Sequence, residues 1–188
     1  MDKIACRRVL CPLLCLSMQL VLNLARADTD DGKLDWVQSF RVGHEVRAEL
    51  DYAGIMIGFY KRNWGLDNPN VWGGFEFSIS GMDSDDISSS VVDFTVVPKV
   101  RAHFGDHFFA GFGLGIGTNR LKEKNNSATE LTLGSSTFFA PEFGFGLEYT
   151  RGPKTAFVEY FWTHRSNAGI AGENSGLDAH TVALGFRF

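Results

Sequence analysis

The sequence predicts an all-β protein, an eight-stranded antiparallel transmembrane β-barrel, and three observations lead to this fold class. In long stretches of the sequence, two kinds of side chain alternate with a period of two residues, which is the periodicity of a strand with two different faces. One face carries large apolar and aromatic side chains, whereas the other carries mostly glycines and charged residues. Beyond residue 27, no segment approaches the ~18 consecutive apolar residues of a membrane helix, so membrane-spanning helices are excluded.

The first element of the chain, residues 1–27, is predicted to be a cleaved secretory signal peptide. Three basic residues precede a stretch that is apolar from Val9 to Leu24 and that ends in Ala25-Arg26-Ala27, the form of a cleavage site. A retained membrane helix is disfavoured because proline and amide side chains interrupt the apolar stretch. Residues 28–188 are then expected to form a single barrel domain in the cell outer membrane.

The composition of the exported part excludes several kinds of site. All three cysteines, at positions 6, 11 and 15, lie in the signal peptide, so neither disulfides nor thiolate metal sites are expected. The signal peptide also holds four of the 18 Lys and Arg residues and one of the 22 Asp and Glu residues, which leaves a net charge of −7. This charge argues against nucleic acid as a partner. His44, His103 and His107 lack the spacing of metal ligands, and no metal is predicted.

Eight strands follow the signal peptide in the prediction, and the even count places both barrel ends of the chain on one side. The predicted strands are Trp36–His44, Ala48–Lys61, Val71–Met82, Val91–Phe104, His107–Asn119, Leu133–Thr150, Thr155–Ser166 and Leu177–Phe188. Gly105-Asp106 and Arg151-Gly152-Pro153 are expected to make tight periplasmic connections. The longer polar segments 83–90, 120–132 and 167–176 are expected on the outside.

The middle strands carry the alternation most clearly, while the second and third follow it more loosely. In the fourth predicted strand, apolar residues alternate with charged residues. In the fifth strand, apolar residues alternate with glycines, and in the sixth strand they alternate mainly with glycines and glutamates. A soluble sandwich would also alternate, but a narrow closed barrel has room inside only for small residues and a few large polar ones. Internal ion pairs are therefore expected to join Lys99 and Arg101 to Glu142, Glu148 and Glu159.

The candidate catalytic side chains lie on the last two predicted strands. His164 and Ser166 share one parity with Tyr160 and Trp162, and Glu159 has the other. The His164 face is predicted to point outward because a glutamate in hydrocarbon would cost several kcal/mol, whereas aromatic residues suit the membrane interface. On the last strand, parity places Asp178 and His180 on the same outward face. His180 has no clear partner and is interpreted as a rim residue.

Antiparallel pairing of these two strands brings a hydroxyl, an imidazole and a carboxylate together. Ser166 would be the nucleophile, His164 would accept its proton, and Asp178 would orient the imidazole. Asn167 could direct its amide or backbone N–H at the developing oxyanion. From the spacing alone, an interfacial polar pair without catalysis remains the more common explanation of a His near a Ser. The absence of a G-x-S-x-G sequence argues against an α/β-hydrolase.

The segment Thr163-His164-Arg165-Ser166-Asn167-Ala168-Gly169-Ile170, followed by Gly176-Leu177-Asp178 and a strand ending in Phe188, resembles the outer-membrane lipid A 3-O-deacylase (PagL) family. The resemblance implies that His164 and Ser166 are the catalytic pair and that Asn167 contributes to the oxyanion site. Asp178 stands where the family has a catalytic Glu, which shortens the acid by one methylene. Glu173 is the alternative acid.

The resemblance implies a carboxylic ester hydrolase that removes the 3-O-linked hydroxyacyl chain of lipopolysaccharide lipid A without a cofactor or a metal. Its partners would be lipid A and outer-membrane lipid. Two alternatives remain open at this point: a small non-enzymatic barrel with a structural or adhesive role, and a phospholipase-type esterase. The sequence also leaves open the acyl-chain specificity and whether two copies form a homodimer.

Overall fold

A computed structural model of the chain describes residues 34–46, 50–62, 68–83, 89–123, 136–168 and 176–188. It contains eight strands: β1 (Asp35–Glu45), β2 (Leu50–Arg62), β3 (Val71–Asp83), β4 (Ser89–Phe104), β5 (Phe108–Glu123), β6 (Thr137–Arg151), β7 (Lys154–Arg165) and β8 (Leu177–Arg187). Within these ranges no helix is long and apolar enough to cross a membrane. The predicted signal peptide and Glu173 lie outside the described residues, as do the first residues of the predicted sixth strand.

The strands form one closed antiparallel barrel, in which each strand pairs with its neighbour in sequence and β1 pairs with β8. Two backbone hydrogen bonds between Trp36 and Phe188, of 3.1 and 2.9 Å, extend the closing seam beyond β8. Closure leaves no strand edge unpaired, which is what a sheet in hydrocarbon requires. The predicted fold class and the predicted number of strands are confirmed.

Two tight turns mark one end of the barrel. Gly105 between β4 and β5 and Gly152 between β6 and β7 both have φ of +62°, a backbone conformation that glycine adopts without steric cost. β1 begins and β8 ends on the same side as these turns. Because short turns face the periplasm in barrels of this kind, we call this side the periplasmic end and the opposite side the outer end.

The two faces of the barrel wall differ as the alternation predicts. On β5, Phe112, Leu114 and Ile116 are each more than half exposed, and in a membrane these side chains contact lipid. The glycines between them are buried. A Cβ at Gly115 would lie 2.7 Å from the Val97 side chain, so the narrow interior has no room for a larger residue there.

A network of six charged side chains fills the middle of the barrel interior. Glu76 contacts Arg41 at 2.6 Å, Arg101 at 3.0 Å and Lys99 at 3.4 Å, and it accepts a hydrogen bond from the Tyr60 hydroxyl. The two other carboxylates of the network meet the same cations: Glu159 lies 2.8 Å from Lys99 and 2.7 Å from Arg101, and Glu142 lies 3.7 Å from Lys99. Three cations therefore face three anions, and all six are buried.

The predicted ion pairs of Lys99 and Arg101 are confirmed for Glu159, and that of Lys99 also for Glu142. The prediction for Glu148 was wrong. This residue lies near the periplasmic end of β6, where its carboxylate pairs with Arg187 at 3.1 Å, below the level of the six-residue network.

Candidate active site

The orientation of β7 determines where its polar side chains project. Thr155, Phe157, Glu159, Phe161, Thr163 and Arg165 are buried in the barrel, while the alternate residues from Ala156 to Tyr160 are exposed and Trp162 and His164 are partly exposed. The predicted parity is therefore confirmed, since Glu159 points inward and His164 points outward. The rings of Trp162 and His164 stack with centroids 6.0 Å apart, which limits the movement of the imidazole.

His164 and Asp178 lie directly opposite each other in the register of β7 and β8. His164 Nδ1 is 2.7 Å from Asp178 Oδ1, and both side chains are only partly exposed. A carboxylate that accepts a hydrogen bond from Nδ1–H favours the tautomer whose Nε2 is free to accept a proton. Because the two residues are direct cross-strand partners, an aspartate reaches the imidazole although it is one methylene shorter than a glutamate.

Strand β1 holds the backbone of Asp178 from the other side. Glu45 is fully buried, and its Oε1 accepts a hydrogen bond of 2.9 Å from the Asp178 N–H. The N–H of Val46 donates to the Asp178 carbonyl at 2.9 Å. Sequence reasoning missed Glu45, because the contact joins residues 133 positions apart and depends on closure of the barrel.

Ser166 and Asn167 follow immediately after β7 at the outer end. Two backbone hydrogen bonds of 2.7 and 3.0 Å pair Ser166 with Phe139 of β6 and so continue the wall beyond the end of β7. Ser166 is partly exposed and Asn167 is buried. Both line a small pocket together with three other polar residues, Asp93, Asn119 and Arg165. The buried Asn167 side chain and the residue Ser166 therefore border the same polar pocket.

The structure thus joins His164 to Asp178, while Ser166 lies two residues beyond His164, immediately after β7, and the alternative acid Glu173 lies outside the described residues. The interpretation of His180 as a residue without a partner was wrong. Its Nδ1 is 2.5 Å from the Tyr160 hydroxyl, and the two rings stack. His180 therefore belongs to the aromatic surface of β7 and β8.

Gly176, just before β8, packs against the imidazole of His164. It has φ of +64°, and a Cβ built on it would lie 2.9 Å from His164 Cε1 and 3.4 Å from Nε2. Only a residue without a side chain can hold this backbone conformation at this distance from the ring without strain.

We expect Gly176→Ala to lower the ester hydrolysis that the sequence predicts about tenfold or more, because it pushes the His164 ring away from its position and misplacement by a fraction of an ångström is costly in catalysis. The matched control is Gly152→Ala, which imposes the same backbone strain at φ of +62° but has no atom within 4 Å of the new Cβ. Ester hydrolysis by the two folded variants is measured side by side. Equal activities would show that the contact with His164 has no catalytic consequence.

The described residues contain no group of three or more His, Cys, Asp or Glu side chains that could hold a metal ion. An imidazole that is paired with a carboxylate can carry out acid–base chemistry, and a serine hydroxyl can act as a nucleophile.

Comparison with known proteins gives four findings. A family model described as lipid A 3-O-deacylase (PagL) matches residues 46–187. The crystal structure of the outer membrane enzyme PagL is similar, with 19% sequence identity, a TM-score of 0.61, and coverage of 79% of this chain and 97% of that chain. The crystal structure of Neisserial surface protein A is similar in fold, with 10% identity, a TM-score of 0.50, and coverage of 82% and 94%. No curated protein sequence matches the chain.

Proposed function

The chain belongs to the lipid A 3-O-deacylase (PagL) family, and we propose that it is a serine esterase that uses Ser166, His164 and Asp178 to remove the 3-O-linked hydroxyacyl chain of lipid A. The observation that carries this proposal is the 2.7 Å contact between His164 and Asp178 on the outward face of the barrel. This pair faces the phase in which the substrate lies.

In the proposed reaction, Ser166 Oγ attacks the carbonyl carbon of the ester while His164 Nε2 takes the hydroxyl proton. Asp178 holds the imidazole through Nδ1 and stabilises the imidazolium that forms. The carbonyl oxygen becomes an oxyanion, and we assign its stabilisation to Asn167, a contribution of ~3 kcal/mol in comparable enzymes. The bond to the sugar oxygen then breaks, and His164 returns the proton to that oxygen. Water then gives a proton to His164 and attacks the acyl-serine, the bond to Ser166 Oγ breaks, the hydroxy fatty acid leaves, and His164 returns the proton to Ser166 Oγ.

The surroundings of the site fit a lipid substrate in the outer leaflet. The site lies at the outer end of β7 and β8, and below it the exposed Tyr160 and the partly exposed Trp162 form an aromatic surface of the kind found at membrane interfaces. We propose that residues 1–27 direct export and are removed, and that the barrel acts in the outer membrane.

The proposal predicts that lipid A from cells that express the wild-type chain loses the mass of one hydroxyacyl chain, measured by mass spectrometry of the extracted lipid. His164→Asn is expected to abolish the loss, because asparagine cannot accept and return the proton. His180→Asn is the matched control, since it makes the same change on the same outward face but at a residue that contacts Tyr160 instead of Asp178. Folding of each variant is checked by the mobility of unheated protein on a gel.

Two results would contradict the proposal. Unchanged lipid A in cells that contain folded wild-type protein would favour a non-enzymatic barrel. Release of fatty acid from glycerophospholipids but not from lipopolysaccharide, when purified protein is offered both, would assign the same residues to a phospholipase-type esterase.

A further inference from the structure

The pocket beside Ser166 contains a buried ion pair that the proposed mechanism does not use. Asp93 of β4 and Arg165 of β7 project into the barrel interior, and Asp93 Oδ2 lies 2.9 Å from Arg165 Nε. The two residues are 2% and 5% exposed. The guanidinium also lies over the Tyr52 ring at 5.1 Å. Because Ser166 and this pair line the same pocket, a group bound there would be adjacent to the nucleophile.

The hydrogen-bonding capacity of this pair is incompletely used. Arg165 Nε and Nη1 and Asp93 Oδ2 are buried, and none of these atoms has a hydrogen-bond partner of good geometry among the residues that the structure describes. Buried charged groups in proteins are normally hydrogen-bonded, and leaving one unsatisfied costs free energy. The pocket therefore offers at least one donor and one acceptor to whatever enters it.

A ligand that uses both groups must accept a hydrogen bond from the pocket donor and donate one to the pocket acceptor. A hydroxyl is the simplest group that does both. A phosphate or a carboxylate would be repelled by Asp93, and an ammonium group would be repelled by Arg165. An alkyl segment would leave the buried Arg165 Nη1 without a hydrogen bond. The charges of the pair cancel, so a small neutral polar group fits the pocket best.

We propose that this pocket binds the β-hydroxyl of the 3-hydroxyacyl chain and makes Asp93 and Arg165 the specificity-determining residues of the enzyme, an inference that rests on the proposed function. The β-carbon is separated from the carbonyl carbon by a single methylene group. Once Ser166 has attacked the carbonyl, the hydroxyl can reach only a pocket that borders the nucleophile, as this one does. The rest of the acyl chain stays on the lipid side of the wall.

Discrimination arises because an unsubstituted acyl chain leaves Arg165 Nη1 without a hydrogen-bond partner among the described residues. Sites built to hydrogen-bond a substrate hydroxyl reject analogues that lack it, whereas apolar pockets discriminate weakly. We expect the wild-type enzyme to hydrolyse the 3-hydroxyacyl ester with a kcat/KM about tenfold or more above that of the unsubstituted ester of equal length.

The test compares these two esters on the same glucosamine-based alcohol with purified, folded protein. In the double variant Asp93→Leu/Arg165→Met, which removes both charges together and keeps the volume similar, we expect the ratio of the two kcat/KM values to fall towards one. A defect in packing alone would lower both values and leave the ratio unchanged. The control is Asp35→Asn/Arg187→Gln, which removes an ion pair at the periplasmic end and should keep the wild-type ratio.

A second measurement needs no variant. The product 3-hydroxy fatty acid is expected to inhibit the wild-type enzyme about tenfold more strongly than the unsubstituted fatty acid of the same length. A wild-type ratio near one, with both esters cleaved, would overturn the inference and leave the esterase standing. A preference that survives in the Asp93/Arg165 double variant would also overturn it and would mean that the pocket holds only water. Failure of the wild-type protein to cleave either ester would contradict the proposed function itself.

Discussion

Replacing Ser166 with alanine is expected to lower the rate of deacylation by about a thousandfold or more, because the loss of the proposed nucleophile removes the covalent route altogether. The side chain is small and partly exposed at the end of β7, and the contacts that the structure gives this residue are backbone hydrogen bonds to Phe139. The barrel should therefore fold normally without the hydroxyl. The rate is measured as hydroxy fatty acid released from purified lipopolysaccharide over time.

A fluorophosphonate probe adds a readout that is independent of the substrate. The wild-type protein should be labelled at Ser166, and Ser166→Ala should remain unlabelled. Ser136→Ala is a suitable control because Ser136 is also an exposed serine at the outer end of the barrel, just before β6. Full activity in Ser166→Ala would place the nucleophile elsewhere and refute the proposed mechanism, while the family membership would be unaffected.

The fold could be predicted from the sequence because its signal is local. On β5, Phe112, Leu114 and Ile116 alternate with glycines. This pattern indicates that the face with the large apolar side chains contacts lipid and that the barrel interior is narrow. The same parity argument placed Glu159 inside and His164 outside, as the structure does. Each of these inferences needs only neighbouring residues on one strand.

Contacts between strands were easiest to predict where the two strands follow each other in the chain. His164 and Asp178 meet because consecutive antiparallel strands pair, which parity and strand ends already indicate. Glu45 and Asp93 also approach the site, but they come from β1 and β4, and no local pattern reports how the barrel closes. Their contributions became visible only in the closed barrel.

The interior network shows the same limit. Lys99 and Arg101 were predicted to pair with acidic residues, and they do, but parity cannot rank the candidates by height along the barrel axis. Glu148 was chosen although it lies too near the periplasmic end, and Glu76 was overlooked because the alternation of β3 is less regular. The stagger of the strands decides which inward side chains share a level.

That network leads to the second large effect that we expect, which concerns stability. Glu76→Ala should destabilise the folded barrel by about 3–5 kcal/mol, because it leaves Arg41, Lys99 and Arg101 buried with two carboxylates instead of three. It also removes the acceptor of the Tyr60 hydroxyl. The free energy of unfolding is measured by denaturant titration of protein folded into lipid vesicles.

Two further variants separate charge balance from packing. Glu148→Ala removes a carboxylate at the periplasmic end, where Arg187 keeps Asp35 as a partner, and should cost less. Glu76→Gln/Lys99→Met removes one anion and one cation from the network and should recover part of the stability lost in Glu76→Ala, since buried pairs can often be replaced jointly at little cost. Equal destabilisation by Glu76→Ala and Glu148→Ala would show that the balance of charge in the barrel interior does not matter.

Because Glu159 belongs both to this network and to β7, a loss of charge balance should also loosen the strand that carries His164. Deacylation in Glu76→Ala is therefore expected to decline at lower denaturant concentration than in the wild type.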